Sequence, residues 1–186
     1  LRLAEHFSFL CGNLDMESLL TCYAVQIYLN NTNFSPYDNS LVWRSEVIDD
    51  TVPCADGKWR YLITGLDAAL LDSSANADPL ENPFSAVCSA DTLFAALLEN
   101  PDFCDGLYNC LLALSRLDFS GVSDGDSDAF FDGRFAFLTE MLAAYTGREY
   151  SAADSPSFAA AGTALIRPAD APADSYAVAF SHESGF

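Results

Sequence analysis

Residues 88–117, C-S-A-D-T-L-F-A-A-L-L-E-N-P-D-F-C-D-G-L-Y-N-C-L-L-A-L-S-R-L, hold two apolar runs broken at Asn100-Pro101 and three of the chain's six cysteines. Helical spacing puts Leu93, Phe94, Leu97 and Leu98 on one face of the first run. The same spacing puts Phe103, Leu107, Cys110, Leu111 and Leu114 on one face of the second. Between them Asn100 has a side chain that caps a helix N-terminus. Pro101 suits the first helical position, where no backbone donor is needed. The stretch therefore reads as a helical hairpin, and the rest of the chain has to cover its two apolar faces. It is a core, and it carries no catalytic chemistry.

At 186 residues the chain fits one domain, long enough to bury about 70% of its unfolded surface. Apolar residues make up 51% of it and aromatics 13%, so it folds despite a net charge of -19. The cations are seven Arg and Lys58, against 19 Asp and 8 Glu. A field of that sign repels phosphate backbones and anionic lipid, which argues against nucleic-acid and membrane-surface roles and favours cations or a basic partner. Residues 18–37 lack charge for 20 positions, but their apolar part stops at Leu29, short of a membrane span.

None of the six cysteines forms C-x-x-C, and two histidines cannot complete a zinc finger. An even count in this setting predicts three disulfides. Cys104 and Cys110 are not partners for each other, because six positions along one helix turn them apart by about 240°. Asn30-Asn31-Thr32 is an N-glycosylation sequon, and Asn33-Phe34-Ser35 is a poorer one because Pro36 follows. Leu1 reads as the start of a processed chain. Together these features predict an extracellular, secreted glycoprotein.

In chain order, residues 1–11 read as a helix with Leu3, Phe7, Leu10 and Cys11 inward, ended by Gly12. Its His6 reads as a half-exposed core residue. Asp15 caps the next helix, with Met16, Leu19, Leu20, Tyr23 and Ile27 as its buried stripe and Ser18 completing a partial capping pattern. Residues 30–40 are a polar loop. Residues 41–48 fit a strand or a helical turn, and 49–57 a loop with Cys54 and an Asp-Gly turn. Trp59, Leu62, Ile63, Leu66 and Leu70 keep helical spacing; a hairpin of 41–48 with 59–64 is the competing reading. Residues 72–84 are loop. Ser127 or Asp128 caps a helix ending at Gly147, with Phe131, Phe135, Leu138, Leu142 and Tyr145 as its stripe. Ser155-Pro156 opens an Ala-rich helix stopped at Arg167-Pro168. Residues 176–181, Y-A-V-A-F-S, alternate as a strand does.

Two constellations bear on chemistry. Gly121-Val122-Ser123-Asp124-Gly125 matches G-x-S-x-G, the nucleophile-elbow pattern of serine hydrolases, with Asp154, Asp170 or Asp174 and then His182 in triad order. The elbow needs a buried strand before the serine, and the preceding run is helical in period. Asp124, Asp126, Asp128 and Asp132 occupy positions one, three, five and nine of a calcium loop. Ala129 stands where the turn glycine belongs and Phe135 where the bidentate Glu belongs, so the expectation is a weak, irregular calcium site and no other cofactor. Trp43, Trp59 and the tyrosines read as core and rim.

The predicted architecture is a mostly α, single-domain, disulfide-stabilised bundle of about six helices over 1–171, with an extended C-terminal tail over 172–186. The leading function is a secreted acidic, non-enzymatic structural or interaction subunit that binds a protein partner or itself. The rivals are a helical carrier of a small apolar ligand and a serine hydrolase using Ser123. The tail is expected to pair with 41–48 or with another subunit.

Overall fold

The computed structural model describes residues 4–35, 40–49, 51–69, 76, 82–119 and 126–151. They form six α-helices and one two-stranded sheet: α1 (Ala4–Asn13), α2 (Met16–Tyr28), β1 (Leu41–Trp43), β2 (Arg60–Leu62), α3 (Pro83–Ala90), α4 (Thr92–Leu97), α5 (Pro101–Leu114) and α6 (Asp126–Thr146). The mostly helical class and the helix count agree with the sequence. The alternating 176–181 segment, the 155–167 helix and the tail as a whole lie outside the described residues.

The centre of the molecule is α2. Its largest helix contact is with α5, β2 packs on it from another side, and α6 touches it as well. Ten of its thirteen residues are buried. That all-round burial accounts for the long uncharged run, since a helix enclosed by other elements has no solvated face to carry charge. No helix among the described residues is long and apolar enough to cross a membrane. The cap forms as its residue type demands: Asp15 Oδ1 accepts from the Ser18 amide at 2.8 Å, and Ser18 Oγ donates to the Asp15 carbonyl at 2.9 Å.

The Asn100-Pro101 junction behaves as the sequence predicts. Asn100 Oδ1 accepts from the amides of Asp102 and Phe103, and Pro101 opens α5. Phe103, Leu107, Leu111 and Leu114 are buried along that helix. The same dipeptide recurs at Asn82-Pro83, where Asn82 Oδ1 accepts from Phe84 and Ser85 and opens α3. Asp91 ends α3 and caps α4, taking the amides of Leu93 and Phe94. Its other carboxylate oxygen accepts the hydroxyl of Tyr23, which is stacked on Phe94 with centroids 4.4 Å apart. One buried acid thus closes the α3–α4 corner and fastens it to α2. Burial and the bond to Asp91 push the Tyr23 hydroxyl well above the usual tyrosine range.

Three expectations need correcting. The first concerns residues 59–71: β1 pairs antiparallel with β2, in the register Leu41↔Leu62, Val42↔Tyr61, Trp43↔Arg60, so the stretch opens as a strand. Helical spacing and a strand packed on a helix both place apolar residues here, and contacts distant in sequence decide between them. The second concerns α6, which starts at Asp126 and ends before Gly147 in the left-handed region at φ +68. Its buried residues are Phe130, Arg134, Leu138, Met141 and Leu142, with Phe131 and Phe135 only partly covered and Tyr145 exposed. The face is turned toward Arg134, a residue that apolar periodicity passes over.

The third correction is chemical. None of the six cysteines, Cys11, Cys22, Cys54, Cys88, Cys104 and Cys110, is in a disulfide. The thiols go to separate partners. Cys22 donates to the Leu62 carbonyl and Cys104 to the Leu98 carbonyl, while Cys88 meets the Tyr145 hydroxyl. Burial pushes Cys22 and Cys110 up to about 12, so they stay protonated and inert as nucleophiles. A helical core of this size packs these sulfurs as small apolar groups and does not require bridges.

Candidate functional site

The side of β2 turned to α2 is fully engaged. Ser18, Cys22 and Gln26 stand four residues apart on α2 and so share one face. Ser18 Oγ accepts from the Tyr61 amide at 3.1 Å, Cys22 reaches the Leu62 carbonyl, and Gln26 Nε2 donates to the Thr64 carbonyl at 2.9 Å. Asn31 continues the row, with Nδ2 near both the Gly65 carbonyl at 2.7 Å and Gln26 Oε1 at 2.6 Å. A parallel bridge between Leu14 and Trp59 closes the other end. The polar residues of an otherwise apolar helix are there to satisfy one strand edge.

Across the hairpin, Arg60 fastens the described part of the connection that leads into β2. This buried guanidinium holds Asp56 through two bonds of 2.8 and 3.0 Å and takes the Cys54 carbonyl at 3.0 Å. It also reaches Asp15, the α2 cap, at 3.2 Å. Those bonds hold the Asp56 carboxyl below its usual range. Cys54 adopts φ +65, uncommon for a side-chain-bearing residue, to aim its carbonyl there. At the tip Asp49 accepts from the Thr51 amide and hydroxyl, while its own amide bonds the Ala55 carbonyl. Gly57 sits at φ +74, and a Cβ there would meet Ile48 at 3.3 Å. Only glycine fits that position without strain.

What this framework displays is apolar. Val47 and Ile48 are each 71% exposed, Leu41 57% and Val52 51%, with Val42 and Trp59 also exposed. Single exposed aliphatics are ordinary, but five on one hairpin that a buried arginine holds in shape are not. The two tryptophans carry cations across the strands. Arg60 lies over Trp43 at 5.6 Å and Arg44 over Trp59 at 4.7 Å, so neither ring is an empty sugar platform. The hairpin 40–62 has three of the eight cations and four of the 27 acids. It is a nearly neutral island on a strongly acidic body. Neither its apolar display nor its neutrality was singled out from the sequence; the signal was the Val-Ile and Thr-Val pairs flanking Asp49-Asp50.

A second feature is an open cleft of ≈ 430 Å³ lined by Tyr28, Ser115, Leu117, Asp118, Phe119, Phe131 and Asp132. Phe119 and Phe131 stack across it with centroids 4.3 Å apart. Beneath it Arg134, fully buried, caps the C-terminal end of α2. Nε donates to the Tyr28 carbonyl at 2.9 Å and Nη2 to the Ile27 carbonyl at 2.6 Å. Nη1 reaches Asn76 Oδ1 at 3.0 Å, and the guanidinium rests on Phe130. Burial lowers its proton affinity to about 10, which still leaves it charged near neutrality, where a cation favours the negative end of a helix.

The sequence-predicted site residues are only partly in view. Ser123, Asp124, Asp154, Asp170, Asp174 and His182 lie outside the described residues. Asp126 and Asp128 fall in the first turn of α6, and Asp132 is exposed one turn further along. Among the described residues no three of His, Cys, Asp and Glu stand together as a metal-holding group. The chain leading toward Ser123, after α5 ends at Leu114, is turn and irregular backbone through Phe119. His6 is exposed on α1. No family model matches the chain, and neither a curated protein nor a solved structure does.

Proposed function

We propose that this chain is a non-enzymatic interaction subunit that self-associates through the tip of the β1–β2 hairpin. The observation that supports it most is the exposure of Val47, Ile48 and Val52 on a hairpin whose connection Arg60 fastens at Cys54 and Asp56. Ordering a loop costs conformational entropy, and exposed aliphatics recover it only on meeting another surface. Repulsion between two bodies of charge -19 is smallest where each is nearly neutral, which is the hairpin. Sedimentation equilibrium tests this. The weight-average mass should rise above 20.1 kDa with concentration, and Val47→Asp/Ile48→Asp should hold it at the monomer value. Equal association of both chains, or of neither, contradicts the proposal.

Export belongs to the same proposal, supported by the sequon at Asn30, which follows α2 at φ +50. A glycosidase-sensitive mass at Asn30 in a secretory host checks it. The aromatic cleft supports the carrier as a second reading. There, N-phenyl-1-naphthylamine should gain fluorescence with the wild-type chain and lose it with Phe131→Ala. A weak calcium site on Asp124, Asp126, Asp128 and Asp132 is a separate proposal, checked by whether calcium raises the melting temperature more than magnesium.

A further inference from the structure

The outer edge of β1 pairs with no further strand among the described residues. The sheet has two strands, and α2 and the Leu14–Trp59 bridge occupy the β2 side. Leu41 and Val42 are exposed on the open strand. A two-stranded ribbon is marginal by itself, and an open edge offers a row of backbone donors and acceptors to any extended segment. The chain supplies one such segment outside the described residues. In 176–181, Tyr176, Val178 and Phe180 alternate with Ala177, Ala179 and Ser181, so one face is large and apolar and the other small.

We propose that residues 176–181 of the same chain add to the outer edge of β1 as a third strand. Leu41 and Trp43 share one face of β1, and the large face of the added strand continues it. Reach is not limiting. The described body ends at Ser151, and the 25 steps to Tyr176 span up to about 80 Å when extended, wider than a domain of this size. The connection is rich in Ala, Ser, Pro and Asp. A covalent tether of this length holds its end near the body at an effective concentration of roughly millimolar. Capture within one molecule therefore wins over exchange between molecules at micromolar protein. The added strand takes the edge of β1 and leaves Val47, Ile48 and Val52 at the tip uncovered, so it stands or falls apart from the self-association proposed above.

Amide hydrogen exchange on three chains tests it: the full chain, one ending at residue 171, and full-length Val178→Pro, which removes a strand donor. Val42 supplies the outward donor of β1, because the Tyr61 amide bonds Ser18 and leaves Leu41 and Trp43 as the residues bonded to β2. In the full chain the Val42 amide should exchange about an order of magnitude or more slower than in an open edge. In the two altered chains it should become fast, with α5 amides unchanged as the control for folding. Equal exchange at Val42 in all three chains overturns the proposal. Protection at Val42 that disappears on dilution places the strand in a second molecule and overturns the same-chain assignment.

Discussion

The two sides of the β1–β2 hairpin are built on opposite terms. Toward α2, every polar group presented by Ser18, Gln26 and Asn31 meets a backbone or side-chain partner. Away from it, Leu41, Val42, Val47, Ile48 and Val52 stand in water. Local propensity does not separate them, since both sides are β-branched and aromatic. The difference is that the inner side was matched during folding, whereas the outer side retains bonding and burial capacity to spend on another surface.

Substitutions that strip buried carbonyls of their donors should cost the most, within the hairpin and at the end of α2 alike. Arg134→Met leaves the Ile27 and Tyr28 carbonyls at the end of α2 without their charged donor, at a cost of about 3 kcal/mol or more. In a domain of this size that lowers the melting temperature by roughly 10 °C. Arg60→Ala comes next, at about 2 kcal/mol, because it releases Asp56, the Cys54 carbonyl and Asp15 together. Its sharper signature is local, with amides of 49–55 exchanging faster while those of α5 do not change.

Acid should act on the same joint. Hydrogen bonds from Arg60 lower the folded Asp56 carboxyl below its unfolded value of 3.8. The stability it adds is therefore complete above that value and is lost as pH falls through the folded one. Tip amides should lose protection on acidification before helical ones, and in Arg60→Ala that early phase should vanish.

Gln26→Leu is the milder inner change, at about 1–2 kcal/mol, since it strips the Thr64 carbonyl and Asn31 of a partner without leaving a void. On the outer side the expectation reverses. Val47→Asp/Ile48→Asp should move stability by no more than about 0.5 kcal/mol, because both residues are already in water. Thermal melts of the four variants in one buffer test the ranking. An outer substitution that destabilises as much as Gln26→Leu would mean the tip packs on its own domain.

Much of the helical core was legible in sequence, and the misses have physical causes. Asn100-Pro101 announced α5 because an apolar run of helical period follows it. Asn82-Pro83 carries the same signal, yet it ends a stretch of Ser, Asn, Asp and Pro, and composition hid the start of α3. Residues 59–71 fit helical spacing, and the polar stripe on α2 that selects the strand is about forty positions away. Arg134 sits where periodicity expects an apolar residue, so the buried face of α6 was read turned away from it. The disulfides failed because counting cysteines says nothing about where their side chains point. The hairpin display was not legible at all, because an exposed Val-Ile pair looks like a buried one until the fold says which side of the strand is covered.

The central claim is that the hairpin tip is a contact surface and the helical body is not. Methyl-resolved NMR of a dilution series, from millimolar to micromolar protein, addresses it residue by residue. The methyls of Val47, Ile48 and Val52 should shift with concentration, while those of Leu19, Leu107 and Leu111, buried between α2 and α5, should stay fixed. Tip methyls that hold still across the series, or that move no more than the core does, would contradict it.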